Sequence, residues 1–160
     1  MSLPTPLAAV PAESEGCRQH DCASAKLEWI DIFETGIPEL DALHRSLIQD
    51  CNSLLRLVEN GASWPLVVGK ARTFVGSCVE HFRVEESLLE HTGFPRCAEH
   101  AAEHRRMERE MQALLARMEQ FDGSLKEHRD APRSLGPALI ELILRHDLDF
   151  RSHLLHRQGR

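Results

Sequence analysis

The stretch HFRVEESLLEHTGFPRCAEHAAEH, residues 81–104, is the most informative part of the chain, because a helix end, a short turn and a helix start follow one another in it. Gly93 comes after a periodic apolar segment and is the residue type that most often lies just beyond a helix. Pro95 cannot continue that helix, and a second periodic segment begins directly after it. We therefore predict two long helices that are joined by a tight turn and run antiparallel.

Two pairs of potential metal ligands flank this turn. His81 and Glu85 are four residues apart before it, and His100 and His104 are four residues apart after it. A spacing of four places both members of a pair on the same face of a helix, about 6 Å apart along its axis. Because the two helices are predicted to be antiparallel, we expect the two pairs to meet at one level of the fold.

The helical pattern extends through most of the chain. Apolar residues recur at intervals of three and four, with Pro38 and Pro65 in predicted first turns. The predicted helices cover residues 38–60, 63–92, 96–121 and 135–156. We predict an all-α protein, an up-down-up-down antiparallel four-helix bundle with an N-terminal extension. Residues 1–26 lack periodicity and are predicted to form a disordered tail, so the bundle domain would cover residues 27–160.

The composition argues against several classes of function. The net charge is −6 and the basic residues are scattered among a larger number of acidic ones, which argues against binding to nucleic acid. No stretch approaches the roughly 18 apolar residues that span a membrane, and the pattern of a secretory signal is missing, so we expect a cytoplasmic protein. The five cysteines are irregularly spaced and are expected to be reduced thiols, including those of the Cys17-x-x-His20-x-Cys22 cluster in the tail.

Two further residues belong to the same predicted polar layer. His44, near the start of the first helix, is level with the end of the second if these helices are antiparallel, and Asp147 lies on the fourth. Burying so many polar groups without a metal would cost on the order of several kcal/mol, which favours ligation. Imidazoles and carboxylates without a convergent set of thiolates suit iron or manganese better than structural zinc, and two carboxylates suit a bridged pair. The pattern predicts a di-iron site.

These motifs resemble those of the hemerythrin family, in particular its bacterial branch. The matching motifs are Trp29-x-x-x-Phe33-x-x-Gly36-Ile37-x-x-x-Asp41-x-x-His44-x-x-Leu47, His81-Phe82-x-x-Glu85-Glu86 and His100-x-x-x-His104. The resemblance implies a four-helix bundle that holds two non-haem irons with an oxo or hydroxo bridge and binds dioxygen. The ligands it implies are His44 and His81 for the iron that takes oxygen, His100 and His104 for the other iron, and Glu85 and Asp147 as bridges.

The predicted fourth helix departs from the family's pattern. The family usually has a histidine five residues before its bridging aspartate, and Leu142 occupies that position here. In one alignment Asp147 is the bridge and His146 supplies the lost imidazole, because it is one turn from Leu142 and differs from it by about 40° around the helix. In a second alignment His146 is the ligand and Asp149 is the carboxylate. Both alignments stay open on the residues alone.

Three functions are compatible with this reading. The first is an oxygen-binding protein that acts in storage, delivery or sensing. The second is a di-iron enzyme acting on peroxide or nitric oxide, which is favoured if nothing replaces the histidine missing at Leu142. The third is a metal-free bundle that serves as an interaction module. Candidates for an apolar lining around the bound oxygen are Trp29, Phe33, Leu47, Phe82 and Leu142.

The other polar and sulfur-containing residues are given structural roles. Cys51 and Cys78 lie on the inward faces of their helices and are expected to be small core residues. The methionines of the third helix are likewise expected to be core packing. The histidines that have no consistent inward register, and are expected at the surface, are His20, His91, His128, His153 and His156.

Overall fold

The computed structural model describes residues 26–121, 131–141 and 150–154, and every regular element in these ranges is helical. The elements are a 3₁₀ turn at Asp31–Phe33, α1 at Pro38–Glu59, α2 at Trp64–Thr92, α3 at Cys97–Gln120, a 3₁₀ turn at Ala131–Ser134 and α4 at Leu135–Glu141. Residues 150–154 are also helical. The predicted all-α class is confirmed.

The helix ends follow from local sequence. Pro38 lies in the first turn of α1, where its missing N–H removes no hydrogen bond, and acidic residues occupy the same turn near the positive end of the helix dipole. Gly61 and Gly93 follow α1 and α2 with φ of 66° and 65°, a left-handed conformation that glycine adopts without a steric penalty. The backbone N–H groups of Gly93 and Phe94 then cap the last carbonyls of α2. The predicted bounds of the first three helices and the predicted start of the fourth are correct to within one or two residues.

The core consists of two clusters of buried apolar side chains. The larger cluster is formed mainly by α1, α2, α3 and α4, which pack α1 against α2, α2 against α3 and α1 against α4. The smaller cluster contains Ile37, Leu40, Leu89, Phe94, Phe150 and Leu154. Both clusters include residues from the sequence region predicted as the fourth helix. The four helical regions are thus consistent with a bundle.

Specific polar contacts connect segments that are distant in sequence. The indole Nε1 of Trp64, in the first turn of α2, donates to the carbonyl of Met118 near the end of α3 at 3.0 Å. Asn52 on α1 makes two hydrogen bonds to the backbone of Leu27, at 2.9 and 2.8 Å. The predicted tail lies almost wholly outside the described residues. The up-down-up-down order stays a prediction, since the greater part of the fourth helix also lies outside them.

Among the described residues, no helix combines the length and the apolarity that crossing a bilayer requires.

Candidate metal centre

Five buried polar side chains from three helices lie together between the two apolar clusters. Each of them is at most 6% exposed. They are His44 on α1, His81 and Glu85 on α2, and His100 and His104 on α3. On one side the ring of Phe82, from the larger cluster, stacks on His104 with centroids 4.2 Å apart. On the other side Phe150, from the smaller cluster, lies 5.4 Å from His100.

The carboxylate of Glu85 is the centre of this arrangement. Its Oε2 atom lies 3.1 Å from Nε2 of His104, 3.3 Å from Nε2 of His100 and 3.7 Å from Nε2 of His81. Its other oxygen, Oε1, accepts no hydrogen bond from any of the described residues. Glu85, His100 and His104 each offer one ligand atom, and these three atoms lie within 4.8 Å of one another. This is a group of donors that one metal ion could contact.

His44 extends the cluster from the first helix. Its ring lies 4.7 Å from the ring of His81, at an interplanar angle of 69°. Successive contacts therefore run from His44 to His81, from His81 to Glu85, and from Glu85 to the two histidines of α3. A carboxylate with two imidazoles on either side along this path is an arrangement that could serve two metal ions and place a bridge between them.

Burial controls the charge state of the imidazoles. It lowers the pKa of His81 to about 4, against a smaller opposing effect from the carboxylate of Glu85. Burial also lowers the pKa of His44, while Glu85, Asp41 and the backbone carbonyl of Phe33 oppose that shift. Both rings are thus neutral at neutral pH. Neutral imidazole is the form that binds metals, because one ring nitrogen then carries a lone pair.

The carboxylate is held in its charged form. Burial alone would raise the pKa of Glu85, but the adjacent imidazoles of His100, His104 and His81 lower it well below its ordinary value. Glu85 is therefore ionised at neutral pH. A fully buried carboxylate is costly in an apolar core unless positive charge lies next to it.

The geometry at His104 fits a bound cation. Its Nδ1 atom is 2.9 Å from Oε1 of Glu86, and since a carboxylate only accepts, Nδ1 carries the proton. In the neutral ring Nε2 then has the lone pair, yet it faces Glu85 Oε2 at 3.1 Å. Two lone pairs at this distance repel unless a proton or a cation lies between them. Imidazole nitrogen and carboxylate oxygen are ligands that transition metals share.

Phe82 also lines a cavity of about 300 Å³ whose other described walls come from α2, α3 and the segment containing α4. The lining is mostly apolar, with half-buried Met107 and Met111 on the α3 side. Of the residues predicted to form an apolar lining, Phe82 is in this wall. Trp29, Phe33 and Leu47 are not among its described lining residues, and Leu142 lies outside the described part of the chain.

The structure brings together five of the seven predicted site residues. The other two, His146 and Asp147, lie outside the described residues, as does Asp149. The two alignments of the fourth helix therefore stay predictions. Sequence reasoning missed Glu86, which it noted only as part of a motif. Its position directly after Glu85 gave no signal for this role, because the contact with His104 depends on the packing of α3.

The histidines expected at the surface are partly as predicted. His91 is exposed. His153 is half-buried instead, because its Nε2 atom lies 3.1 Å from the carbonyl of Thr92 and its ring packs against Phe94 with centroids 5.4 Å apart. The expectation for His153 was thus wrong. His20, His128 and His156 lie outside the described residues.

The thiols of α1 and α2 are core residues. Cys51 and Cys78 are 0% and 1% exposed, and burial raises their pKa values to about 11 and about 12. Thiols in this state are poor nucleophiles, because the thiolate is the reactive form. The prediction that they are small buried residues is confirmed.

Comparison with known proteins gives two matches. The family model described as the hemerythrin HHE cation binding domain matches residues 35–155. A bacteriohemerythrin of Stenotrophomonas maltophilia (strain R551-3) is 32% identical over 80 residues, which are 50% of this chain and 52% of that protein. The chain thus spans about half the length of the curated relative it matches.

Proposed function

Since the chain belongs to the hemerythrin HHE cation-binding domain family, we propose that it is a non-haem di-iron protein that binds dioxygen for storage, delivery or sensing. The observation that carries the proposal is the convergence of three imidazole nitrogens on Oε2 of the buried Glu85, at 3.1 to 3.7 Å. In this proposal the bundle covers residues 27–160 and works in the cytoplasm, where an odd set of cysteines stays reduced.

The described residues divide between two proposed iron positions. His44 and His81 would hold the iron that takes oxygen, His100 and His104 would hold the other, and Glu85 would bridge them. Their contact path supports this division, because Glu85 lies between the α2 and α3 histidines along it. Asp147 is proposed as the second bridge, and His146 as the further imidazole, on sequence alone. Two ferrous ions, if bound by these residues, would supply the electrons for reversible oxygen binding.

The chain's own residues prepare the site in three ways. Burial keeps His44 and His81 neutral, so that their lone pairs are available at neutral pH. The ionised Glu85 supplies negative charge to neutralise part of a cationic pair. Phe82 and Phe150 pack against the histidines of α3 and limit the entry of water. Exclusion of water protects a reduced metal centre from side reactions.

A second function from another class is an enzyme that turns over peroxide or nitric oxide. The observation that favours it is Leu142, which stands where the family usually has a histidine. A metal with one protein ligand fewer has an open position for such a substrate. Steady consumption of peroxide or nitric oxide by iron-loaded protein would favour this function over simple binding.

Metal analysis and optical spectra test the proposal. Protein purified without added metal should contain about two irons per chain, and anaerobically reduced protein should change its visible absorption on exposure to oxygen and recover on removal of oxygen. His81→Ala and His104→Ala should each lose iron, whereas His91→Ala, which alters an exposed histidine of α2, should retain it. Unchanged iron content in both site variants, with folding checked by circular dichroism, would exclude the di-iron assignment.

A further inference from the structure

The carboxylate of Glu86 contacts the proposed metal centre from outside. Its Oε1 atom lies 2.9 Å from Nδ1 of His104, on the opposite side of the ring from the nitrogen that faces Glu85. The side chain of His104 is 2% exposed, whereas that of Glu86 is 33% exposed. Resting on the proposed function, we propose that Glu86 is a positioning residue: it fixes the tautomer and the ring orientation of His104 so that Nε2 faces the metal.

Two contacts together define the orientation of this ring. Phe82 stacks on His104 with an interplanar angle of 15°, which fixes the plane of the imidazole. Stacking alone does not distinguish the ring from the same ring turned over by 180°, because both flips present the same flat face. The hydrogen bond to Glu86 does distinguish them, since only one flip places Nδ1 within 2.9 Å of the carboxylate. Glu86 thus selects the flip that leaves Nε2 at the centre.

The same hydrogen bond selects the tautomer. Glu86 only accepts, so it stabilises the form of His104 that has its proton on Nδ1 and its lone pair on Nε2. Without Glu86, the other described carboxylate that faces this ring would be Glu85, whose Oε2 lies 3.1 Å from Nε2 and would favour the proton on that nitrogen instead. Such a ring would have no lone pair on Nε2, the nitrogen that faces the proposed metal centre. Carboxylates that orient metal-bound histidines in this way typically change metal affinity by about 10- to 100-fold.

The effect of Glu86 should appear in metal binding more than in stability. The hydrogen bond between Glu86 and His104 contributes little to the free energy of unfolding. The side chain of Glu86 is 33% exposed, so water screens the interaction. The ligand geometry, by contrast, depends on a single ring flip inside the core. This difference separates a positioning role from a purely structural one.

The test compares Glu86→Ala, Glu86→Gln and the control Glu90→Ala, which removes the same charge one turn later on an exposed part of α2. Ferrous ion affinity is measured without oxygen by competition with a chelator. We expect Glu86→Ala to bind ferrous ion about 10- to 100-fold more weakly. Glu86→Gln, whose amide oxygen still accepts a hydrogen bond, should fall between Glu86→Ala and wild type, and Glu90→Ala should match wild type. Equal affinities for Glu86→Ala and Glu90→Ala would overturn the inference.

Nitrogen NMR of the histidine rings in metal-free protein tests the same inference independently of iron. Wild-type His104 should show a protonated Nδ1, and in Glu86→Ala the proton should move to Nε2. An unprotonated Nδ1 in the wild type, or the same protonation pattern in both proteins, would overturn the positioning role. If the wild type binds no iron, the proposed function fails, and the ring spectra still decide whether Glu86 sets the tautomer of His104.

Discussion

Lowering the pH from 7 to 5 should destabilise the metal-free protein, and His81 should account for much of the effect. Burial lowers the pKa of this imidazole from 6.5 to about 4. Between these two values the unfolded chain binds a proton at His81 and the folded chain does not. The free energy of unfolding therefore falls as the pH drops through this window. His44, whose pKa is also lowered by burial, acts in the same direction.

The size of the effect follows from the two pKa values. Each pH unit within the window changes the free energy of unfolding by about 1.4 kcal/mol. Because pH 5 lies roughly 1.5 units below the ordinary pKa of histidine, His81 alone should lower the free energy of unfolding by about 2 kcal/mol. No discount for solvent is needed, because the side chain of His81 is 0% exposed. Glu85 adds little to this loss above pH 5, because its lowered pKa means that the stability it contributes is lost only near and below the ordinary pKa of a glutamate.

Urea unfolding followed by circular dichroism measures this effect. Wild type, His81→Gln and the exposed control His91→Gln are compared without metal at pH 7 and pH 5. From pH 7 to pH 5 the free energy of unfolding of wild type and of His91→Gln should fall by at least about 2 kcal/mol. The fall for His81→Gln should be smaller than theirs by about 2 kcal/mol. The reasoning is refuted if His81→Gln and His91→Gln show the same loss.

Three other outcomes can be checked on the same protein. Trp64→Phe removes the 3.0 Å hydrogen bond to the Met118 carbonyl and should lower the free energy of unfolding by about 1 kcal/mol in urea titrations. Thr35→Val removes the hydroxyl that donates to Asp41 at 2.8 Å, inside a buried site, and should cost about 1 to 3 kcal/mol in the same assay. Cys78, with its pKa raised to about 12, should resist alkylation at pH 8 in native protein and react after unfolding in urea, as peptide mass spectrometry would show; rapid native labelling would contradict its burial.

Much of the fold could be predicted because its signals are local. A proline in the first turn or a glycine just beyond the last acts within a few residues, so Pro38 and Gly93 indicated helix ends without any knowledge of tertiary structure. The convergence of His81, Glu85, His100 and His104 could be predicted for a related reason. A spacing of four fixes a shared helix face, and a short turn brings two such faces together.

The parts that could not be predicted depend on side-chain contacts between helices. Glu86 and Glu90 are both glutamates on α2 one turn apart, and only the packing of α3 determines that Glu86 reaches His104. His153 has no inward register of its own, yet it is half-buried because the turn after α2 places the Thr92 carbonyl and the Phe94 ring next to it. Helical periodicity carries no information about such neighbours.

The site and the stability of the bundle are physically coupled. The buried imidazoles that make the centre able to bind a cation are the same groups that make the metal-free protein sensitive to acid, and the buried charge of Glu85 adds a further cost of desolvation. A cation that binds only the folded chain stabilises it in proportion to the logarithm of its concentration relative to the dissociation constant. Iron should therefore raise the stability of the wild type most strongly at neutral pH, and less as acid protonates the ligands, because protons and metal compete for the same lone pairs.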